Sequence, residues 1–514
     1  MEELGGITRR NLAPLAAGAA VAVTAACSPV ATQNPQPASR QFPPGFIWGA
    51  ATSAFQIEGS PDADGRGPSI WDVFARNPAH IVDHSDASVA TDSYRRYADD
   101  VALLAGAGMS AYRFSISWSR VMPSGAGAVN QKGLDYYSRL VDALLARNIA
   151  PYATLFHWDL PQALYEKGGW ASRDTAYRLA DYASVVAQHL GDRLKNFIIL
   201  NEAAVHTIVG HVLGLQAPGL KDAALIGPVT HHQNLGQGLA IKALRAARPD
   251  FKVGTTMALA PSRPDGPWWD LRNLLAARGF DAIWNGAYLD PLLKGSYPWM
   301  ARSFIERAVK DGDMAITRQP IDFLGVNYYS PTYIKYDASN PSHIGPGLPP
   351  KGVERDAFDR EIDPSGLSEM LTRVREDYGN PKVLITENGC SDPLSPTAPA
   401  ILDDTFRIDY LRRHMEVVKF AMEQGSPIGG YFVWTLVDNW EWDQGFTAKF
   451  GMCAMDRTTG LRTTKNSYDW FKALAKTGQL PADAAWRAGA ACRKRSNCRF
   501  ALAESEQRRP VDDM

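Results

Sequence analysis

The sequence lacks a marked excess of either charge. Its 514 residues contain 54 lysines and arginines against 55 aspartates and glutamates, and no basic stripe with interleaved aromatics occurs in the body of the chain. Nucleic-acid binding draws on concentrated positive charge, because neutralising phosphates supplies much of the affinity. We therefore expect no nucleic-acid partner for a chain whose composition, 45% hydrophobic and 21% charged, is that of an ordinary globular protein.

Motifs for metals, phosphates and covalent nucleophiles are also missing. Cysteine occurs only at positions 27, 390, 453, 492 and 498, without a spacing typical of metal ligands. No glycine-rich turn of the GxGxxG type follows the first predicted strand, and there is no phosphate loop and no serine or cysteine nucleophile motif. We expect neither a metal nor a cofactor.

The apolar stretch near the N-terminus is too short to span a membrane. It runs for fifteen residues, 12–26, whereas a spanning helix needs about twenty. The pair Arg9 and Arg10 precedes it, which predicts an export signal of the twin-arginine type over residues 1–27. Cys27 is a candidate lipid-anchor site, with plain cleavage nearby as the alternative. The expected location is the periplasm or the bacterial envelope.

The two ends of the chain differ from the middle. Residues 28–41 are rich in proline, glutamine and serine, which predicts a flexible tether. Residues 481–514 are basic and show no hydrophobic pattern, so we expect a disordered tail. The region between them, 42–480, is predicted to be one catalytic domain.

Within this domain, amphipathic helices alternate with short apolar runs. One predicted helix has Ser172 as its cap, an apolar face and Gly191 at its end. Alternation of this kind favours an α/β fold with a parallel sheet closed into a (β/α)8 barrel, and an open doubly wound sheet is the alternative. The eight predicted strands are 46–55, 110–116, 149–156, 197–200, 252–259, 321–329, 382–386 and 429–436.

Polar residues follow six of the predicted strands. In a barrel the working residues lie at the carboxyl ends of the strands. Carboxylates and amides there can bind hydroxyl groups, and indoles can stack on a sugar face, so this inventory indicates a carbohydrate site. The strand ends read QIEG (56–59), HWD (157–159), NE (201–202), NYY (327–329), ENG (387–389) and DNWEW (438–442).

Two of these carboxylates suit glycoside hydrolysis. Glu202 ends the fourth predicted strand and Glu387 the seventh, so they can face each other across the barrel mouth. The apolar run before Glu202 disfavours its anion, whereas Arg113 on the second strand can favour the anion of Glu387. Either glutamate alone could equally be a buried structural ion pair, but two at opposed strand ends favour chemistry.

Long motifs make the chain resemble glycoside hydrolase family 1, the β-glucosidase family. The resemblance runs from FPPGFIWGAATSAFQIEGS near residue 42 to KNSYDWF near residue 471, and it includes YRFSISWSR, HWDLPQAL, DFLGVNYYS, ITENG and DNWEW. It implies a barrel enzyme that hydrolyses terminal, unphosphorylated β-D-glycosides with retention of configuration and without a cofactor.

The resemblance also implies a role for each matched position. Glu387 corresponds to the nucleophile and Glu202 to the acid/base. Residues that orient the nucleophile are Arg113, Tyr329 and Asn327. The sugar-binding residues are Gln56, His157, Trp158, Asn201, Trp434, Glu441 and Trp442.

Some positions depart from the family pattern. Phe197, Ile199 and Ala203 stand near Glu202 where the family usually has Trp, Thr and Pro, and Lys449 and Phe450 also differ from the common residues. We expect Ile199 to make the surroundings of the acid drier. A transglycosidase on the same site and a non-catalytic sugar-binding lipoprotein are the alternative functions.

Overall fold

The computed structural model describes residues 34–267, 269–340, 342–394 and 399–481. The predicted export signal, the candidate anchor Cys27 and residues 482–514 of the predicted tail lie outside this part of the chain. Of the predicted tether, residues 34–41 are described. The backbone N–H groups of Ala38 and Ser39 donate to the carboxylate of Glu423 at 2.8 and 3.1 Å. No helix among the described residues is long and apolar enough to cross a membrane.

Eight parallel strands form a closed barrel, in which each strand pairs with the next along the chain and the last pairs with the first. This confirms the predicted (β/α)8 fold over the open-sheet alternative. The strands are almost continuously apolar because both of their faces are buried. They are β1 (Ile47–Ala51), β2 (Ala111–Ser115), β3 (Ala150–Phe156), β4 (Asn196–Asn201), β5 (Lys252–Ala258), β6 (Phe323–Asn327), β7 (Val383–Asn388) and β8 (Ile428–Trp434).

One long helix after each strand builds the outer layer. Apolar residues at helical spacing are buried, as in the fourth of these helices, where Ile241 and Leu244, three residues apart, are fully buried. These helices are α1 (Ser93–Gly106), α2 (Gln131–Leu145), α3 (Asp174–Leu190), α4 (Ile226–Ala247), α5 (Leu271–Asp281), α6 (Pro364–Asp377), α7 (Thr405–Glu423) and α8 (Asn466–Thr477).

Shorter elements occupy the connections. The short α-helices are Ala54–Ile57, Ile70–Phe74, Trp118–Val121, Gln162–Tyr165, Ala203–Val205, Ala287–Leu293, Trp299–Ile305 and Asp313–Thr317, and His206–Val212 and Ala282–Gly286 are π-helical. The strands outside the barrel are Ser262–Pro264, Thr332–Tyr336, Ile344–Pro346, Cys453–Met455 and Arg462–Thr464.

Two local predictions were wrong. The first predicted strand, 46–55, extends too far, because the chain turns into the helix Ala54–Ile57 after β1. Ser172 does not cap α3, whose N-cap residue is Arg173; the backbone carbonyl of Ser172 instead accepts from the N–H of Thr175 at 3.2 Å. Gly191 does follow the helix at its C-cap, as predicted.

The barrel interior is apolar below and polar only at the top. Tyr152, Ile198, Phe323, Leu384 and Phe432 pack together inside the barrel. Because these apolar side chains fill the barrel toward the amino ends of its strands, the charged and amide side chains of the described residues meet at the carboxyl ends. The pairing of β4 with β5 and of β6 with β7 is irregular near those ends, which is common beside active sites, where it re-aims a side chain.

Candidate active site

A cavity of about 590 Å3 opens at the carboxyl ends of the barrel strands. The carboxylates of Glu202 and Glu387 line it, together with Asn327 and Trp434. A second cavity, of about 460 Å3, lies among loop residues 55–88 and contains neither carboxylate. The first cavity is therefore the candidate active site. Residues from five of the six strand-end segments line it, whereas no residue of the QIEG segment (56–59) does.

Glu387 is the last but one residue of β7, and its side chain is held from two sides. Arg113 Nη1 donates to Oε1 at 2.5 Å, and the hydroxyl of Tyr329 donates to Oε2 at 2.8 Å. Burial raises the pKa of Glu387, and the charge and hydrogen bonds of Arg113 and the hydroxyl of Tyr329 oppose that rise. Both oxygens of the carboxylate are thus fixed by donors that favour its ionised form.

Arg113 is itself fully buried and anchored by three strands. Its Nη2 donates to Asn201 Oδ1 at 2.6 Å, its Nη1 to the carbonyl of Thr386 at 3.1 Å, and its Nε to Thr154 Oγ1 at 3.3 Å. A buried guanidinium is stable only when its donors are satisfied. These bonds therefore keep the positive charge beside Glu387.

Glu202 directly follows β4 and has a less polar environment than Glu387. Its only side-chain hydrogen bond among the described residues comes from Asn327 Nδ2, which donates to Oε1 at 2.8 Å. Burial, and then the negative charge of Glu387, raises the pKa of Glu202 to about 8. The two glutamates therefore differ in acidity: Glu202 keeps its proton to a higher pH than Glu387, whose anion is favoured by Arg113 and Tyr329.

An amide connects the two carboxylates. Besides contacting Glu202, Asn327 Nδ2 donates to Asn201 Oδ1 at 3.1 Å. The Asn327 oxygen accepts from the hydroxyl of Thr386 at 2.7 Å, and this bond fixes which end of the amide faces Glu202. Thr386 was not among the predicted site residues, although this threonine directly precedes Glu387 in the ITENG motif.

Glu441 lines one polar wall of the cavity, and Gln56 supports it from behind. Gln56 Nε2 donates to Glu441 Oε2 at 2.9 Å and to Asn439 Oδ1 at 3.2 Å, and Gln56 Oε1 accepts from the hydroxyl of Ser53 at 2.7 Å. Burial, and then the charge of Glu387, raises the pKa of Glu441 to about 8. The contact with Gln56 holds the carboxyl group of Glu441 in a fixed position at the cavity.

His157 lines a second polar wall, and Asn201 supports it from behind. The oxygen of Asn201 accepts from Arg113, so its amide nitrogen faces His157 Nε2 at 3.0 Å. Burial lowers the pKa of His157 well below its ordinary value, and the neutral ring then carries its hydrogen on Nδ1. No described residue hydrogen-bonds to Nδ1, which leaves this N–H for a ligand.

Indoles cover the remaining sides of the cavity. The rings of Trp158 and Trp442 lie 4.8 Å apart, and Trp158 Nε1 donates to the carbonyl of Asn201 at 3.0 Å. The ring of Trp434, 3% exposed, lies 6.0 Å from that of His157 at an angle of 28°. Flat aromatic walls next to fixed hydroxyl-binding groups suit a sugar ring.

Three residues of the site have left-handed backbone conformations without being glycine. The φ angles are 72° at Trp158, 47° at Glu202 and 52° at Trp442. Such conformations are costly for residues with a Cβ atom and are kept when the surroundings enforce them, most often at functional sites. They turn these side chains toward the cavity just after a strand or loop ends.

Two of the unusual residues near Glu202 do not line the cavity. Phe197 packs against Phe251, with 4.8 Å between the ring centres. Ile199 is fully buried and is not among the lining residues. The pairing of β4 with β5 is irregular between Ile198 and Asn201, so strand alternation does not fix the direction of Ile199. The expectation that Ile199 dries the surroundings of the acid stays a prediction.

The connection between the strand Ile344–Pro346 and α6 supplies residues that the motifs did not predict. Phe358 and Arg360, from the connection before α6, line the outer part of the cavity. The ring of Phe358 lies 5.7 Å from that of Phe450, another lining residue. Neither Phe358 nor Arg360 follows a predicted strand, so a search for polar residues at the ends of strands could not identify them.

Comparison with known proteins agrees with this geometry. The model for "Glycosyl hydrolase family 1" matches residues 38–480. Beta-glucosidase A of Thermotoga maritima is 39% identical over 450 residues, which cover 86% of this chain and 99% of that protein. A bifunctional beta-D-glucosidase/beta-D-fucosidase of Bifidobacterium breve is 40% identical over 459 residues, which cover 84% and 97% of the two chains.

A solved structure is similar over the same part of the chain. It is the family 1 β-glucosidase from Thermotoga maritima in complex with isofagomine lactam, with a TM-score of 0.80 and 38% identity. The match covers 86% of this chain and all of that one. The family match, the closed barrel and the paired carboxylates agree: the chain belongs to glycosyl hydrolase family 1 and is an O-glycosyl hydrolase of the β-glucosidase type.

Proposed function

We propose that the chain is a retaining β-glycosidase that removes terminal, unphosphorylated β-D-glucosyl residues, with Glu387 as nucleophile and Glu202 as acid/base. The contrast between the two carboxyl groups carries the proposal. Arg113 and Tyr329 donate to both oxygens of Glu387, whereas Glu202 accepts, among the described residues, only the Asn327 amide and has a pKa raised to about 8. One group is built to be ionised and the other to hold a proton.

The first step transfers the sugar to the enzyme. Glu202 gives its proton to the glycosidic oxygen, the bond between that oxygen and the anomeric carbon breaks, and the aglycone leaves as an alcohol. A carboxylate oxygen of Glu387 forms a bond to the anomeric carbon from the opposite face. The charge of Arg113 and the hydroxyl of Tyr329 keep that oxygen in place until it attacks.

The second step releases the sugar. Glu202, now ionised, takes a proton from water, and the water oxygen attacks the anomeric carbon. The bond to Glu387 breaks, its carboxylate is restored beside Arg113, and Glu202 is again protonated. Two inversions leave the released sugar in the β configuration.

The sugar-binding walls support the choice of substrate. Asn201 contacts Arg113 and His157, and we expect it to bind the 2-hydroxyl, as the family resemblance implies, while Gln56, Glu441 and His157 bind the remaining hydroxyls. A third carboxyl group, Glu441, lies close to the bound sugar and, when it is ionised, opposes a phosphate on that sugar. An unphosphorylated glycoside is therefore the better fit.

The direct test follows the sugar as it is released. We expect hydrolysis of 4-nitrophenyl β-D-glucoside, with the β anomer of glucose appearing first in the proton NMR spectrum. Parallel β-galactoside, β-fucoside and 6-phospho-β-glucoside substrates rank the sugar preference, and the phosphorylated sugar should be the poorest. An initial α anomer would exclude the two-step mechanism, and hydrolysis of the 6-phosphoglucoside in preference to the glucoside would exclude the proposed substrate class.

The pH profile should follow the proton on Glu202. Donation needs the protonated form, so kcat/KM for an alkyl β-glucoside should fall above about pH 8, by about tenfold per pH unit. Because Glu202 and Glu387 interact, this decrease in kcat/KM at alkaline pH reflects the titration of both carboxyl groups together rather than of one residue. Glu202→Gln has no proton to lose at residue 202 in this pH range, so its residual activity on the same alkyl glucoside should lack the decrease above about pH 8. An identical decrease in the variant would assign it to another group.

A further inference from the structure

The connection between the strand Ile344–Pro346 and α6 places an arginine at the rim of the catalytic cavity. Residues 355–361 fold back on themselves, with Arg355 paired antiparallel to Glu361. The backbone N–H of Asp356 donates to the carbonyl of Arg360 at 2.8 Å, which closes the turn. Arg360 lines the same cavity as Glu202 and Glu387.

The guanidinium of Arg360 is held in one position. Its Nε and Nη2 donate to Asp356 Oδ2 at 2.8 and 2.6 Å. The other oxygen of Asp356 accepts the backbone N–H groups of Phe358 and Arg360 at 2.9 and 3.0 Å. The guanidinium carbon also lies 4.7 Å from the ring centre of Phe358 and 5.3 Å from that of Tyr329. Little side-chain entropy therefore remains to be lost when a ligand binds.

One nitrogen of the Arg360 guanidinium, Nη1, is available to bind a ligand. Asp356 takes Nε and Nη2, and Nη1 has no hydrogen-bond partner within the described ranges. The side chain of Arg360 is 33% exposed. Of the described residues that line the cavity, Arg360 alone carries a permanent positive charge, while Glu202, Glu387, Glu441 and Asp443 supply the acidic groups.

Exposure locates Arg360 relative to the substrate. The side chains of the polar walls, such as Gln56, His157 and Asn201, are at most 2% exposed, so the sugar that is cleaved lies deep in the cavity. Arg360 is far more exposed and lies beyond Tyr329, whose hydroxyl contacts the nucleophile. We therefore expect the group attached to the sugar to occupy this outer region of the cavity.

We propose that Arg360 is a specificity residue for the aglycone and that it favours β-glycosides whose aglycone carries a carboxylate. The inference rests on the proposed glycosidase function and adds the chemical class of the leaving group. Nη1 would donate a charge-assisted hydrogen bond to the carboxylate, and the rings of Phe358 and Phe450 would cover the apolar part of the aglycone. Asp356 offsets part of the charge, so the expected preference is moderate, about tenfold in kcat/KM.

The test compares two substrates that differ only at the carboxylate. They are the β-D-glucosides of 3-(4-hydroxyphenyl)propanoate and of its methyl ester, in which two methylene groups keep the acidity of the two leaving phenols similar. At pH 6.5 and low salt, the wild type should cleave the acid about tenfold more efficiently than the ester, and added salt should reduce the ratio. The kcat values limited by release of the common glucosyl-enzyme should be the same for both.

Variants assign the preference to one side chain. In Arg360→Gln the ratio should fall to about one while the ester keeps its rate within about threefold, and Arg360→Lys should retain part of the ratio. Arg355→Gln is the matched control, because Arg355 belongs to the same turn and pairs outward with Asp359 at 2.8 Å. It should keep the full ratio.

The outcomes separate this inference from the proposed function. Equal wild-type rates on acid and ester would overturn the role of Arg360 and leave the glycosidase intact. Equal losses on both substrates in Arg360→Gln, or a larger loss on cellobiose than on the acid, would show a structural role or recognition of neutral hydroxyls instead. If the wild type cleaves neither substrate, the proposed function fails and the inference fails with it.

Discussion

Replacing Glu387 by glutamine is expected to lower kcat/KM for aryl β-glucosides by about 10⁴-fold or more, even for the best leaving groups. A carboxamide cannot form the ester to the anomeric carbon, and it cannot balance the charge of Arg113, whose Nη1 lies 2.5 Å from Glu387 Oε1. The measurement is steady-state hydrolysis of 2,4-dinitrophenyl β-D-glucoside, with thermal unfolding followed in parallel to establish that the variant is folded.

The control applies the same substitution to another buried glutamate–arginine pair. Glu58 accepts from Arg120 Nε at 2.8 Å and from the hydroxyl of Tyr137 at 2.6 Å, away from the reacting atoms. Glu58→Gln should lower the free energy of unfolding, by about 3 kcal/mol, while the folded protein keeps its turnover. Retention of more than about one per cent of activity in Glu387→Gln would contradict its role as nucleophile.

Removing the side chain of Glu202 should have effects that depend on the leaving group. For cellobiose or an alkyl glucoside, whose departing oxygen needs a proton, Glu202→Ala should lose about 10³-fold to 10⁴-fold in kcat/KM. For 2,4-dinitrophenyl β-D-glucoside the first step should change little, because this phenol leaves without protonation. The second step slows for every substrate, since no base activates water, and glucosyl-enzyme should accumulate as a burst of phenol followed by slow turnover.

Azide distinguishes this mechanism from a general loss of structure. The small anion needs no base and can occupy the space left by the carboxyl group, so it should restore turnover of the dinitrophenyl substrate in Glu202→Ala and yield β-glucosyl azide. Azide should not restore Glu387→Gln by this route. Equal losses on activated and unactivated substrates, or formation of the α azide in Glu202→Ala, would contradict the assignment of acid and nucleophile.

For Glu202 and Glu387 the sequence predicted the positions at strand ends but not the full environment of each carboxyl group. An apolar run followed by a carboxylate identified Glu202 and Glu387 as strand-end residues, because strands of a parallel barrel are buried on both faces and their carboxyl ends meet. The environment that separates their acidities comes from residues far along the chain. Arg113 is 274 positions from Glu387, and Asn327 is 125 positions from Glu202.

The two local predictions that were wrong both concern where an element begins or ends. An apolar run does not say where a strand stops, so the first predicted strand ran into the helix Ala54–Ile57. A residue type that suits a cap does not say where a helix begins, so Ser172 was expected at the N-cap that Arg173 occupies. Both boundaries depend on how the element packs in the folded barrel.

The sequence by itself determined the alternation of strands and helices, the chemistry at the strand ends and the motifs of glycosyl hydrolase family 1. These features are local, because hydrophobic periodicity and short motifs are read within a few tens of residues. Only the tertiary structure decided that Gln56 meets Glu441, 385 positions away, and that Arg360 reaches the cavity rim from an irregular connection. Such contacts arise when the barrel closes and brings distant strand ends and loops to one edge, which no local pattern encodes.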